Sequence, residues 1–165
     1  MSAQAVSFDS FQAVTFCLNA GQKKEEYAIP IEQVREIRTV ESITKVPKAK
    51  SYIKGIMNLR GLIIPVIDVK EKLGLGSDNS NSAKQRILVA DVKGSLTGLL
   101  VDEVDQVMRI QTKDIEEAPR AVLESHNYIQ GIAKNNDKLI VLLDADRFLE
   151  DSSSEIQQAM EESRQ

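Results

Sequence analysis

The chain has 165 residues, of which 42% are hydrophobic and 28% charged, as expected of a single globular domain. Its 21 basic and 25 acidic residues leave a net charge of −4, so no overall field draws it to nucleic acid or to an anionic membrane. No apolar run reaches the ~18 residues needed to span a bilayer, no secretory leader is evident, and the single cysteine, Cys17, excludes an internal disulfide; a cytoplasmic protein is expected.

Residues 1–10 lack apolar periodicity and are expected to be loose. Phe11 to Leu18 reads as a strand ended by Asn19-Ala20-Gly21, and Glu26 to Ile29 as a second. Pro30 opens a short helical turn, after which Val34 to Ile37 returns to strand. Gly55 to Leu59 and Leu62 to Val66 are strands joined at Arg60-Gly61. Asp68, with Glu71 three residues on, has the pattern of a capped helix start, and that helix ends near Leu73. The Gly-, Ser- and Asn-rich run from Gly74 to Ser82 reads as a linker. Beyond it, Ile87 to Val92, Leu96 to Val101, Val104 to Ile110, Tyr128 to Ala133 and Lys138 to Leu143 are strands. Asp144 is placed to cap a last helix running through Phe148 and Leu149 toward Ile156, before an acidic, Ser-rich tail.

Much of this is said twice. Tyr52-Ile53-Lys54-Gly55-Ile56 recurs as Tyr128-Ile129-Gln130-Gly131-Ile132, a shift of 76 that also carries Ile64, Val66, Asp68 and Leu73 onto Ile140, Leu142, Asp144 and Leu149. Ile31 to Ile37 resembles Val101 to Val107 at a shift of 70, and Val46-Pro47 resembles Ala118-Pro119 at 72. The repeat predicts two similar units within residues 11–150, one copy at about 11–76 and the other at about 84–150, with tails at 1–10 and 151–165. Short strands separated by regular turns predict a mainly β fold, one small barrel per copy.

The repeat also weakens each candidate for catalysis. Asp68 and Asp144 could pass for a carboxylate pair, but they hold the same place in both copies, where capping explains them. Gly55 and Gly131 are likewise shared, which points to a bulge or close packing. His126 is the only histidine and cannot make a two-histidine metal site, and Cys17 lies in an apolar strand as a buried thiol. Gly74-Leu75-Gly76 lacks the Gly-Lys-Ser/Thr of a phosphate loop. No enzyme, metal or cofactor is expected.

What one copy has alone is the better pointer to function. Arg60-Gly61 faces Asn136-Asp137 in the second copy, and Lys45, Lys48, Lys50 and Lys54 lie in a stretch, residues 42–60, without an acid. Arginine offers a planar set of donors and is enriched at interface hot spots, so a binding surface is expected there.

Val34-x-Glu36-Ile37, then Val46-Pro47, then Tyr52-Ile53-Lys54-Gly55-Ile56-Met57-Asn58-Leu59-Arg60-Gly61-Leu62-Ile63-Ile64-Pro65-Val66-Ile67-Asp68 resembles the CheW-like family of chemotaxis coupling proteins, from about Phe11 to Leu149. The resemblance implies two five-stranded SH3-like barrels related by a pseudo-twofold, with short helices, and a non-catalytic adaptor between chemoreceptors and the histidine kinase CheA. It implies that Val34, Glu36 and Ile37 meet the kinase's regulatory domain. Lys54, Arg60, Val104 and Val107 would lie on or near a groove that takes the receptor's helical tip. The protein would then sit at receptor arrays beneath the inner membrane. The family's domain also occurs fused to receiver domains and within the kinase; the chain ends soon after the second copy, so a stand-alone adaptor is expected. Two rivals are an adaptor of a related pathway such as pilus-driven motility and a small-barrel nucleic-acid binder. The second has little support, because aromatic residues make up 4% of the chain and none lies between Lys54 and Arg60 to stack on bases.

Overall fold

Strands form where the alternation places them, but neither copy closes into a barrel by itself. The computed structural model describes residues 9–76, 83–125, 127–150, 156–158 and 161, so His126 and most of the linker and tail lie outside the described residues. The first copy supplies β1 (Ser10–Ala20), β2 (Lys23–Pro30), β3 (Val34–Thr39), β4 (Ile53–Leu59), β5 (Leu62–Asp68) and helix α1 (Val69–Lys72). The second supplies β6 (Arg86–Val92), β7 (Ser95–Val101), β8 (Glu103–Gln111), β9 (Ile115–Glu116), α2 (Arg120–Ser125), β10 (Ile129–Asn135), β11 (Lys138–Leu143) and α3 (Ala145–Glu150).

One sheet runs β3-β6-β7-β5-β4 and the other β8-β1-β2-β11-β10-β9. Each copy therefore lends its first hairpin to the sheet of the other: β1-β2 to the second, β6-β7 to the first. Parallel pairs, Val66 with Gly98 and Leu142 with Ala28, bind the lent hairpins in place. The two small barrels expected are present, but each is built from strands of both copies. The reason is that β1 is apolar on both faces, so its own pattern does not say which sheet owns it. Val14, Phe16 and Leu18 turn to the core between the sheets, and Ala13 turns to the inside of its own.

The symmetry of the repeat survives this exchange. The inside of the first sheet holds Met57, Ile64 and Val66, and the inside of the second holds their counterparts Ala133, Ile140 and Leu142. Between the sheets lies a larger core containing Ile53, Ile67 and Val69 beside their counterparts Ile129, Leu143 and Ala145. A fully buried Leu, Ile or Phe contributes about 1.5–3 kcal/mol, whereas exposed ion pairs contribute about 0–1 kcal/mol. The shared core is what holds the two sheets together.

The residues common to both copies are structural in detail. Asp68 N–H donates to Tyr52 O at 2.7 Å and Asp144 N–H to Tyr128 O at 2.9 Å, anchoring each strand end identically. The Asp68 carboxylate accepts from Glu71 N–H at 3.2 Å, and that of Asp144 from Asp146 N–H at 3.0 Å. The second helix start has extra support: Gln33 donates to Asp144 at 3.0 Å and accepts from Ala145 N–H at 2.8 Å. Gly55 and Gly131 both sit at a bulge and both face a crossing chain. A Cβ on Gly55 would lie 2.2 Å from Thr44 O, and one on Gly131 2.5 Å from Ile115 Cγ2. The described part of the last helix runs to Glu150, residues 151–155 lie outside the described residues, and a helical turn is present at residues 156–158, with Ile156 half-buried.

Candidate partner-binding surfaces

β3 and β4 stand at opposite ends of the first sheet's strand order, so the sheet must curl for them to meet. They meet twice. Thr44, in the segment between them, exchanges two backbone hydrogen bonds of 2.8 Å with Ile56 of β4. Just past the C-terminal end of β4, the Arg60 guanidinium donates two hydrogen bonds of 2.9 Å to the Glu36 carboxylate on β3. Arg60 owes its reach to a tight hairpin in which both loop residues are left-handed, Arg60 at φ 51° and Gly61 at φ 88°. Asn58 steadies that turn by accepting Gly61 N–H at 2.7 Å. Arg60 holds the Glu36 carboxyl below its ordinary value by these hydrogen bonds, partial burial opposes the shift, and Arg38 adds to it at 3.3 Å.

The counterparts of this pair in the second unit are Asn136 and Gln106. Asn136 has the same left-handed backbone, φ 59°. With Gln106 it lines an open cleft that also includes Glu26, Asp105, Asp137 and Lys138. These two positions thus carry an ion pair in one unit and not in the other, where Lys134 instead pairs with Glu116 at 2.8 Å between β10 and β9.

Of the three β3 residues expected at the kinase, Val34 and Ile37 share a face and Glu36 lies on the other. Val34 pairs with Ala90 of the main core and is half-buried against it, whereas Glu36 and Arg38 pair with Val89 and Ile87 of the barrel interior. Arg35, Ile37 and Thr39 form the outward row, with Ile37 43% exposed. A bulge between Val34 and Glu36 keeps Val34 on the face of Ile37, where it is half-buried against the main core and so offers a partner less apolar area than Ile37 does. Two apolar residues that sequence reading passed over join the outward set. Leu62 and Ile63, immediately after the Arg60-Gly61 turn, are 53% and 52% exposed. The signal was available, since three successive apolar residues follow a turn whose strand can bury only alternate ones.

The remaining expected site residues divide between the two sheets. Lys54 and Arg60 lie at opposite ends of β4, roughly 20 Å apart at the rise of an extended strand. Lys54 shares a cleft with Lys45, Lys50, Asp68 and Glu71, so the stretch that is purely basic in sequence faces two acids in space. Burial raises the Asp68 carboxyl above its ordinary value, against the hydrogen bond from Glu71 N–H and the pull of Lys54. Val104 and Val107 are both on β8, at the end of the second sheet; Val104 packs against the main core and Val107 is exposed. Arg60, expected with the receptor set, is hydrogen-bonded to Glu36 of the kinase set. Burial pushes the Cys17 thiol up, with Glu26 and Glu103 adding to the effect, which suits an unreactive core residue. Among the described residues, no group of three or more His, Cys, Asp or Glu could hold a metal ion, and no helix is long and apolar enough to cross a membrane.

Two interlocked small barrels whose distinctive residues lie on outer faces and edges define a protein-binding module. The model of the CheW-like domain matches residues 12–153, and the chain belongs to that family. The chain is 34% identical over 125 residues to the chemotaxis protein CheW of Helicobacter pylori, covering 76% of this chain and 75% of that protein. It is 33% identical over 132 residues to CheW of Bacillus subtilis, covering 79% and 84%. A crystal structure of the scaffolding protein CheW from Thermoanaerobacter tengcongensis superposes with a TM-score of 0.72 at 37% identity, over 81% of this chain and 88% of that one.

Proposed function

We propose that this chain, a chemotaxis coupling adaptor, binds chemoreceptors and the histidine kinase CheA at once and catalyses no reaction of its own. The kinase's regulatory domain docks on the outward face of the first unit, where Ile37, Leu62 and Ile63 offer apolar area beside the Arg60–Glu36 pair. Area of this kind, rimmed by charge, suits a reversible protein interface. Lys54, with Val104 and Val107 on the other sheet, belongs to the receptor's helical tip, which would lie along a groove as an amphipathic helix does. Placement at receptor arrays beneath the inner membrane follows from those partners.

The observation that carries the reading is the exposure of Ile37, Leu62 and Ile63 around an ion pair that the second unit lacks. Calorimetric titration with the kinase's regulatory domain tests it. Binding that Ile63→Asp abolishes in a folded protein is the expected result; unchanged affinity removes this face from the interface.

A further inference from the structure

Ile156, in the helical turn that follows α3, does not point to solvent. It is half-buried, packs against the main core, and lines a groove on the outer face of the first unit with Arg35, Leu62, Ile63, Leu96 and Thr97. Arg35 lies on the outward row of β3 that also carries Ile37, so this groove is continuous with the face assigned above to the kinase. Gln157 and Gln158, the next residues of the turn, are exposed. The apolar residue of this turn is therefore set down beside Leu62 and Ile63, two of the exposed large apolar residues of the first unit.

We propose that the turn around Ile156 is a tethered, displaceable cover for the outer face of the first unit, competing with whatever docks there. The identity of that competitor rests on the reading given under Proposed function; the cover itself does not. Ile156, the one apolar residue of the turn at 156–158, leaves Leu62 and Ile63 more than half exposed, at 53% and 52%, so the cover is partial and can be pushed aside. Its effect on a partner is to lower apparent affinity in proportion to the time the face is covered. For a face covered most of the time, losing the anchor raises affinity by about three- to tenfold.

The test uses the full chain and two readouts, fluorescence of an apolar dye and affinity for the kinase's regulatory domain. Ile156→Asp removes the anchor, Gln157→Asp adds the same charge at an exposed neighbour, and Ile156→Ala serves if the aspartate variant does not fold. The expected result is that Ile156→Asp, or Ile156→Ala, binds more dye and binds the kinase domain about three- to tenfold more tightly, while Gln157→Asp matches the parent. Unchanged dye binding and unchanged affinity in a folded Ile156 variant overturn the cover and leave the kinase surface standing. More dye bound, with no kinase binding by parent or variant, supports the cover and overturns the kinase reading.

Discussion

Arg60 and Glu36 hold each other by two hydrogen bonds of 2.9 Å across the seam where the first sheet curls back on itself. The Arg60 side chain is 68% exposed and that of Glu36 21%, so one partner faces solvent while the other is largely enclosed. An exposed guanidinium fixed in direction can pair with a further group, and the second unit has nothing equivalent at Asn136 and Gln106.

Replacing Arg60 by Asn separates the turn from the charge, because Asn already serves at the matching left-handed position, Asn136 at φ 59°. Surface ion pairs add little to stability, so Arg60→Asn should melt within a few degrees of the parent. At an interface, truncating an arginine hot spot costs about 2 kcal/mol or more, roughly a thirtyfold loss of affinity. Calorimetry with kinase domain and receptor tip shows which partner loses binding. A thirtyfold loss for either supports a role in docking; unchanged affinity for both limits Arg60 to closing the barrel.

The same pair has a pH signature. The Glu36 carboxyl lies below its ordinary value of about 4.5, first because Arg60 hydrogen-bonds its charged form. A depressed acid stabilises the folded state fully above its ordinary value and loses that contribution as pH falls through the folded one. Carbon-detected NMR titration should place Glu36 below other exposed glutamates. In Arg60→Asn it should move up but not fully, since Arg38 remains. A Glu36 value unmoved by that substitution contradicts the clasp.

Val34 and Ile37 should fail in different ways. Val34→Asp buries a charge against the main core and should lower stability by several kcal/mol, which thermal melting detects directly. Ile37→Asp places its charge in solvent, should leave the melt within a few degrees, and should abolish binding of the kinase domain. A folded Ile37→Asp protein with parental affinity removes β3 from the interface.

Gly55 and Gly131 hold matching places but should not tolerate alanine equally. At Gly55 the added Cβ meets the Thr44 carbonyl, part of the bridge that closes the barrel, on a backbone at φ 150°. At Gly131 the nearest obstacle, at 2.5 Å, is the Ile115 Cγ2 methyl, the nearest backbone atom is Glu116 O at 3.2 Å, and the backbone is not left-handed. Gly55→Ala should therefore cost about 1–3 kcal/mol, and Gly131→Ala clearly less. Equal melting temperatures for the two variants contradict this account.

The sequence repeat made the strands, the bulge glycines and the capping acids legible, because each is a local pattern stated twice. Exchange of hairpins was not legible, since β1 with Phe16 on one face and Ala13 on the other fits either sheet. How far Val34 is covered was not legible either, because the bulge beside it leaves no mark in the alternation of β3. Arg60 stood out through its mismatch with Asn136, but its partner Glu36 lies 24 residues away, on the strand at the opposite end of the sheet's order. The lysines around Lys54 looked unopposed because Asp68 and Glu71 reach them only through folding.

Reconstitution addresses the central claim most directly. Receptor-bearing membranes and CheA are combined with and without this protein, and kinase autophosphorylation is followed together with co-sedimentation. The account predicts that the parent protein brings CheA down with the membranes and makes its activity respond to receptor ligand, and that Ile37→Asp does neither. Membranes that recruit and control CheA equally well without the protein would contradict it.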